Sequence, residues 1–95
     1  MNASVEMPKY QSHKKVWALK IAGIERDIDK ARAENRETDG TATIIPAEQG
    51  YGPFKVDAVY LRKHDPQVGG YYVVYDDGYK SFSPAKAFEE GYTRL

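Results

Sequence analysis

The sequence predicts an α+β fold, a small antiparallel sheet of about four strands with a C-terminal β-hairpin and two short helices. Three stretches carry that expectation. From Gly69 to Tyr92 the chain reads GGYYVVYDDGYKSFSPAKAFEEGY: two strand-like runs around Asp-Asp-Gly, then a Ser-Pro helix start. From His13 to Glu25 (HKKVWALKIAGIE) apolar and polar residues alternate. From Asp57 to His64 an acidic N-cap precedes a helical spacing.

Taken in order, Met1 to Gln11 is polar, contains Pro8, and reads as a loose N-terminal arm. In His13–Glu25 a period of two puts Trp17, Leu19 and Ile21 on one face and Val16, Ala18, Lys20 and Ala22 on the other. A helical period would place a lysine and a glycine in the apolar stripe, so a strand fits better. Arg26 to Gly40 is mostly charged, with Ile28 its one large apolar side chain. It reads as a charged insertion or mobile helix, capped by Asp27 and ended by Gly40. Thr41–Ile45 is a β-branched run stopped by Pro46, an edge strand, and Phe54–Val56 extends another. Asp57 caps Ala58–His64, with Val59, Tyr60 and Lys63 spaced to put an apolar stripe inward. That helix ends before Asp65-Pro66, because the residue preceding proline is pushed away from helical angles.

Tyr71–Tyr75 and Tyr79–Phe82 are the hairpin strands. A two-residue type I′ turn at Asp77-Gly78 pairs Val73 with Phe82 and Tyr75 with Lys80. It puts Tyr71, Val73, Tyr75 and Phe82 on one face and Tyr72, Val74, Tyr79 and Ser81 on the other. A three-residue loop, Asp76 to Gly78 with Gly78 left-handed, pairs Tyr75 with Tyr79 and swaps the faces. The two-residue turn is preferred, because it separates aromatic from hydroxyl side chains better. Ser83 then serves as N-cap, Pro84 as the first helical residue, Phe88 as the anchor and Gly91 as the C′ residue.

A chain of 95 residues is expected to be a single domain, 1–95. Its 14 basic and 14 acidic residues cancel, which disfavours a dedicated nucleic-acid binder. There is no cysteine, so no disulfide scaffold and no thiolate metal site. The start has no apolar run after a basic segment and no stretch is apolar enough to cross a bilayer, so a soluble intracellular protein without a membrane partner is expected.

Catalytic patterns are absent from the sequence. His13 and His64 lie far apart, Asp27 with Asp29 and Asp76 with Asp77 lack the remaining ligands of a metal loop, and Ser12 and His13 are neighbours that a strand sends to opposite faces. No phosphate loop, dinucleotide fingerprint or nucleophile elbow occurs. The expectation is a non-enzyme with no metal and no cofactor. Binding is better served. Lys9, Tyr10, His13, Lys14, Lys15 and Trp17 form a basic-aromatic cluster, and Tyr72, Tyr79 and Lys80 add more of the same in the hairpin. Aromatic faces stack on bases and lysines meet phosphate. Eight tyrosines exceed what a small core is expected to hold, and tyrosine suits interfaces.

The stretches SHKKVWALKI and GGYYVVYDDGYKSFSPAKAFEEGYTRL resemble a family of small proteins of tailed bacteriophages and prophages that carry no assigned activity. The similarity covers most of the chain, least distinctively Arg26–Gly40. The resemblance implies a phage protein working in the host bacterial cytoplasm, and transfers no catalytic or ligand residue. The leading expectation is a non-enzymatic, homo-oligomeric binding protein that counters host defence by sequestering a nucleotide-type second messenger. Its ligand residues would be His13, Lys15, Trp17, Tyr72, Tyr79 and Lys80, and its partner a cyclic-nucleotide-type small molecule or a host protein. The alternative is a protein–protein or structural module acting on a host protein or in phage assembly.

Overall fold

Strand β2 (Lys15–Arg26) is the longest element and touches three others along its two edges. The computed structural model describes residues 6–11 and 15–95. Around β2 it places, in chain order, β1 (Lys9–Gln11), α1 (Asp27–Glu34), β3 (Ala42–Pro46), β4 (Phe54–Val56), α2 (Ala58–His64), β5 (Tyr71–Tyr75), β6 (Lys80–Ser83), α3 (Ala85–Gly91) and β7 (Thr93–Arg94). Among the described residues this is one seven-stranded antiparallel sheet with three helices. The fold remains α+β, but the expected four-stranded sheet with two helices is overturned. Beside the five strand-like runs of the sequence the sheet holds β1, in the stretch read as a loose arm, and β7, in the tail after α3 that can add a last extended segment. With three and two residues they have no period of their own to detect and exist because β1 pairs with both β2 and β7.

β1 and β3 lie end to end along one edge of β2. The Ala18 N–H donates to the Pro8 carbonyl and the Ala47 N–H to the Lys20 carbonyl, both at 2.9 Å. Residues 18 and 20 turn their backbone groups to the same side. β5 runs along the other edge, from Val16↔Tyr75 to Lys20↔Tyr71. The register against β3 shifts between Ile21 and Gly23, a bulge that returns Ile24 to the face of Leu19 and Ile21.

The spatial order β5-β2-β3-β4 is a Greek key, in which β5 returns after α2 to lie beside β2. All five strands β2 to β6 feed one core. Leu19, Ile21, Ala42, Ile44, Val56 and Tyr72 are buried in it with Tyr60 of α2, and Phe54 and Phe82 pack against it. The strands therefore curl into a partly open five-stranded barrel of the OB type, and no ladder joins β4 to β6 among the described residues.

A second core lies on the outside of β2 and β5, where Val16, Ala18, Tyr71 and Val73 are covered by Phe88 of α3. The expected split of β2 into two apolar faces is thus observed, one face per core. Phe88 stacks on Tyr71 at 4.2 Å and on Tyr92 at 4.6 Å. Glu89 Oε2 accepts from the Tyr71 hydroxyl at 2.7 Å and pairs with Lys20 at 3.1 Å, so α3 is pinned by both packing and charge.

The hairpin follows the three-residue loop, correcting the preferred register. Gly78 has φ +86° and its N–H donates to the Tyr75 carbonyl, while the Tyr75 N–H donates to Tyr79. Tyr72 stands opposite Phe82 and Val73 opposite Ser81. Tyr72, Val74 and Phe82 thus face the barrel core, and Tyr71, Val73 and Tyr75 the outer one. The barrel decides the register, because Phe82 belongs inside with Tyr72.

Helix expectations fare unevenly. Asp57 does cap α2, accepting from the Tyr60 N–H at 2.8 Å. Tyr60 faces inward as expected, but Val59 is 61 % exposed. Asp27 does not cap α1; Arg26 is the N-cap, without a side-chain bond. Asp27 instead holds the Arg36 guanidinium through Nη2 at 2.8 Å and Nη1 at 3.1 Å and accepts from the Thr38 hydroxyl. α1 is thereby a helix with a buried Ala31 and a polar tether, although Ile28 stays 46 % exposed. In α3 the cap is Pro84, not Ser83, which belongs to β6, and Gly91 is the last helical residue.

Candidate binding face at the hairpin tip and helix α2

The tyrosines sort themselves. Tyr51, Tyr60 and Tyr72 pack in the barrel core, and Tyr10, Tyr71, Tyr75 and Tyr92 in the outer one. Of the eight, that leaves Tyr79. The surplus that looked too large for a small core is held by two cores, and Tyr79, 42 % exposed, is the exception.

Local structure explains where Tyr79 stands. The Asp76–Gly78 loop ends in left-handed Gly78, and Asp77 Oδ1 accepts from the Tyr79 N–H at 2.9 Å. The ring stacks on Tyr75 at 6.0 Å and lies under the Lys63 ammonium at 5.0 Å. Its hydroxyl is 3.3 Å from His64 Nε2. Burial, with Lys63 beside it, lowers the pKa of His64, which favours the neutral ring that such a hydroxyl contact suits. Val59, one turn earlier on α2, borders the same shallow groove of about 280 Å³, together with Tyr60, Lys63, Gly78 and Lys80. A second groove of about 220 Å³ adjoins it between β4 and β6, lined by Thr41, Lys55, Val56, Asp57, Tyr60 and Lys80. Lys55, Lys63 and Lys80 are not within ion-pair distance of any carboxylate among the described residues, whereas Lys9, Lys20, Lys30, Arg26, Arg36 and Arg94 all are.

Of the five described residues expected to bind a ligand, Lys15 and Tyr79 border one groove and Tyr79 and Lys80 another, while Trp17 and Tyr72 border neither. His13 lies outside the described residues. Lys15 is exposed beside Tyr75, Asp76, Asp77 and Tyr79. Trp17 is half-buried, its Nε1–H donating to Glu6 at 2.7 Å with Lys9 5.4 Å over its ring. Tyr72 is 2 % exposed, against Phe54 at 4.7 Å and Tyr60 at 5.6 Å inside the barrel, so it cannot stack on a ligand. Only Tyr79 and Lys80 share the face described above. Sequence reasoning missed Val59 and Lys63, which it turned inward, and took His64 for a plain helix end. The available signal was the i, i+4 spacing of Val59 and Lys63 on the side of α2 away from Tyr60.

Chemically the face offers an apolar centre, a tyrosine and cations. Among the described residues no three or more histidine or carboxylate side chains gather as a metal site. OB-type barrels take oligonucleotides across their second and third strands and the neighbouring loops. Here the first such loop carries the Asp27–Arg36 network and the other Asp76 and Asp77, while Phe54 and Tyr72 meet each other inside.

No protein-family model and no curated protein sequence matches the chain. A solved structure does. It is the solution structure of the monomeric form of the phage L decoration protein, similar with a TM-score of 0.63 and 26 % identity over 97 % of this chain. The likeness is to a phage protein. The chain spans 62 % of the length of that decoration protein. The similarity agrees with the phage resemblance seen in the SHKKVWALKI and GGYYVVYDDGY stretches and lends nothing to nucleotide sequestration.

Proposed function

We propose that this chain is a non-enzymatic structural module that attaches to the surface of an assembled phage particle through the face carrying Val59 and Tyr79. The observation that carries the reading is the likeness to a decoration protein along nearly the whole chain. The face supports it. Tyr79 and Val59 are exposed apolar side chains a groove's width apart, ringed by Lys63 and Lys80, the apolar centre and polar rim of a protein contact. A homo-oligomer formed in the host cytoplasm is part of the same proposal, checked by light scattering on the purified chain. The likeness lends nothing to nucleotide sequestration, and of the residues expected for it Tyr72 is interior and Trp17 is engaged by Glu6 and Lys9.

Cosedimentation with phage L heads stripped of their decoration protein tests the reading. The expected result is saturable binding at a fixed number of copies per head, lost in Val59→Asp. Absence of head binding, together with a melting-temperature rise in cyclic dinucleotides, would replace it with the messenger reading; ligand at about 100 times its Kd adds about 2.7 kcal/mol.

A further inference from the structure

We propose that the free edge of β6 accepts an extended acidic segment of a partner protein as an additional strand, with Lys55, Lys63 and Lys80 meeting its carboxylates. This rests on the reading that the chain works by protein contact, and names the chemistry of the partner.

The hairpin register supplies the first argument. The Tyr75 N–H donates to the Tyr79 carbonyl, so Tyr75/Tyr79 is a hydrogen-bonded pair. By antiparallel alternation Val73/Ser81 and Tyr71/Ser83 are hydrogen-bonded too, and Val74/Lys80 and Tyr72/Phe82 are not. The N–H and C=O groups of Lys80 and Phe82 therefore point away from β5, toward the side where the barrel has no ladder to β4. A strand edge with outward donors and acceptors is the template for β-strand addition. The groove between β4 and β6 reaches that edge at Lys80, beside the Tyr60 hydroxyl that donates to the Ser81 carbonyl at 2.7 Å.

Charge selects the occupant. Lysine on an edge strand ordinarily serves to repel unwanted pairing. A second copy of this chain added at β6 would bring Lys80 against the same basic groove, which like charge opposes. An acidic strand meets the opposite field. Lys80 shares the barrel-side face of β6 with Phe82, Lys55 stands across the groove on β4, and Lys63 projects from α2 near Tyr79. Lys55 and Lys80 thus line the β4–β6 groove and Lys63 and Lys80 the adjoining one, three cations to the single carboxylate, Asp57, that borders both, on a protein of zero net charge.

The probe is an acetylated, amidated peptide alternating glutamate with valine and threonine, titrated at low salt by fluorescence anisotropy and by amide exchange of the full chain. Binding is expected, with the Lys80 and Phe82 amides slowed about tenfold or more. A lysine-for-glutamate peptide, a peptide N-methylated on one edge, and the variant K55E/K63E/K80E are each expected to bind about tenfold weaker or worse. The three lysines are exposed, so circular dichroism of the variant should match the parent. No binding of the acidic peptide, or binding indifferent to N-methylation with unchanged Lys80 and Phe82 exchange, overturns the proposal. Strand addition without head attachment would sink only the proposed function, and head attachment without strand addition only this inference.

Discussion

The Tyr79 hydroxyl lies 3.3 Å from Nε2 of His64, joining the residue that leaves the hairpin turn to the last residue of α2. Loop and helix therefore present one surface instead of two. Because Tyr79 is exposed and belongs to neither core, Tyr79→Ala is expected to lower stability by less than about 1 kcal/mol. As an interface anchor it is expected to weaken head attachment by about 2 kcal/mol or more. Urea denaturation and cosedimentation measure the two effects separately.

Tyr72 behaves in the opposite way. It fills the barrel between Phe54 and Tyr60, so Tyr72→Ala is expected to cost about 3–5 kcal/mol, enough to unfold much of a small domain. Tyr72→Phe keeps the packing and is expected to cost less than about 1 kcal/mol. Equilibrium denaturation of the pair checks both. A large loss in the phenylalanine variant would show that the hydroxyl, not the ring, matters.

Gly70 is required by a close approach. A Cβ there would sit 2.3 Å from Cζ and 2.4 Å from Cε1 of Phe82, and 2.9 Å from the Ser83 carbonyl oxygen. Gly70→Ala is expected to destabilise by about 1–3 kcal/mol, through displacement of the ring and of the β6 backbone. In a Phe82→Leu background the added cost should shrink, and a double-mutant cycle reads the difference.

The Arg36 hydrogen bonds, with the Thr38 hydroxyl, hold the Asp27 carboxyl well below the usual carboxylate range. Its folded pKa is depressed, so the stabilisation is complete above the unfolded value of about 3.9 and is lost as pH falls toward the folded one. Asp27→Asn is therefore expected to lower the melting temperature at pH 7, with the gap to the parent closing below about pH 3. Glu89, lowered first by the Tyr71 hydroxyl and then by Lys20, follows the same sign. Melts from pH 2 to 8 test it; a gap that widens in acid would contradict the assignment.

Much of the barrel could be read from the residues, and the reasons differ by element. β2 is long enough for its period to show both faces, and Asp57 announces α2 by a local hydrogen bond. The hairpin register was open because Asp-Asp-Gly serves both turns; the choice rests on Phe82 packing over Gly70 and opposite Tyr72, which is tertiary. α1 showed no apolar stripe, since its tether runs from Asp27 to Arg36 beyond the helix end. For the candidate face, Tyr79 was legible as an interface residue but was grouped with Tyr72, its opposite in burial. Separating them needed the knowledge that a short chain builds two cores, one on each side of β2 and β5.

Electron cryomicroscopy of phage L heads, stripped of decoration protein and incubated with the purified chain, tests the central claim most directly. The predicted result is added density at repeated lattice positions, with α2 and the Tyr79 hairpin tip turned toward the head, and no such density with Val59→Asp. Bare heads at saturating protein, or density contacting the head through the α3 side while Val59 and Tyr79 face solvent, would contradict it.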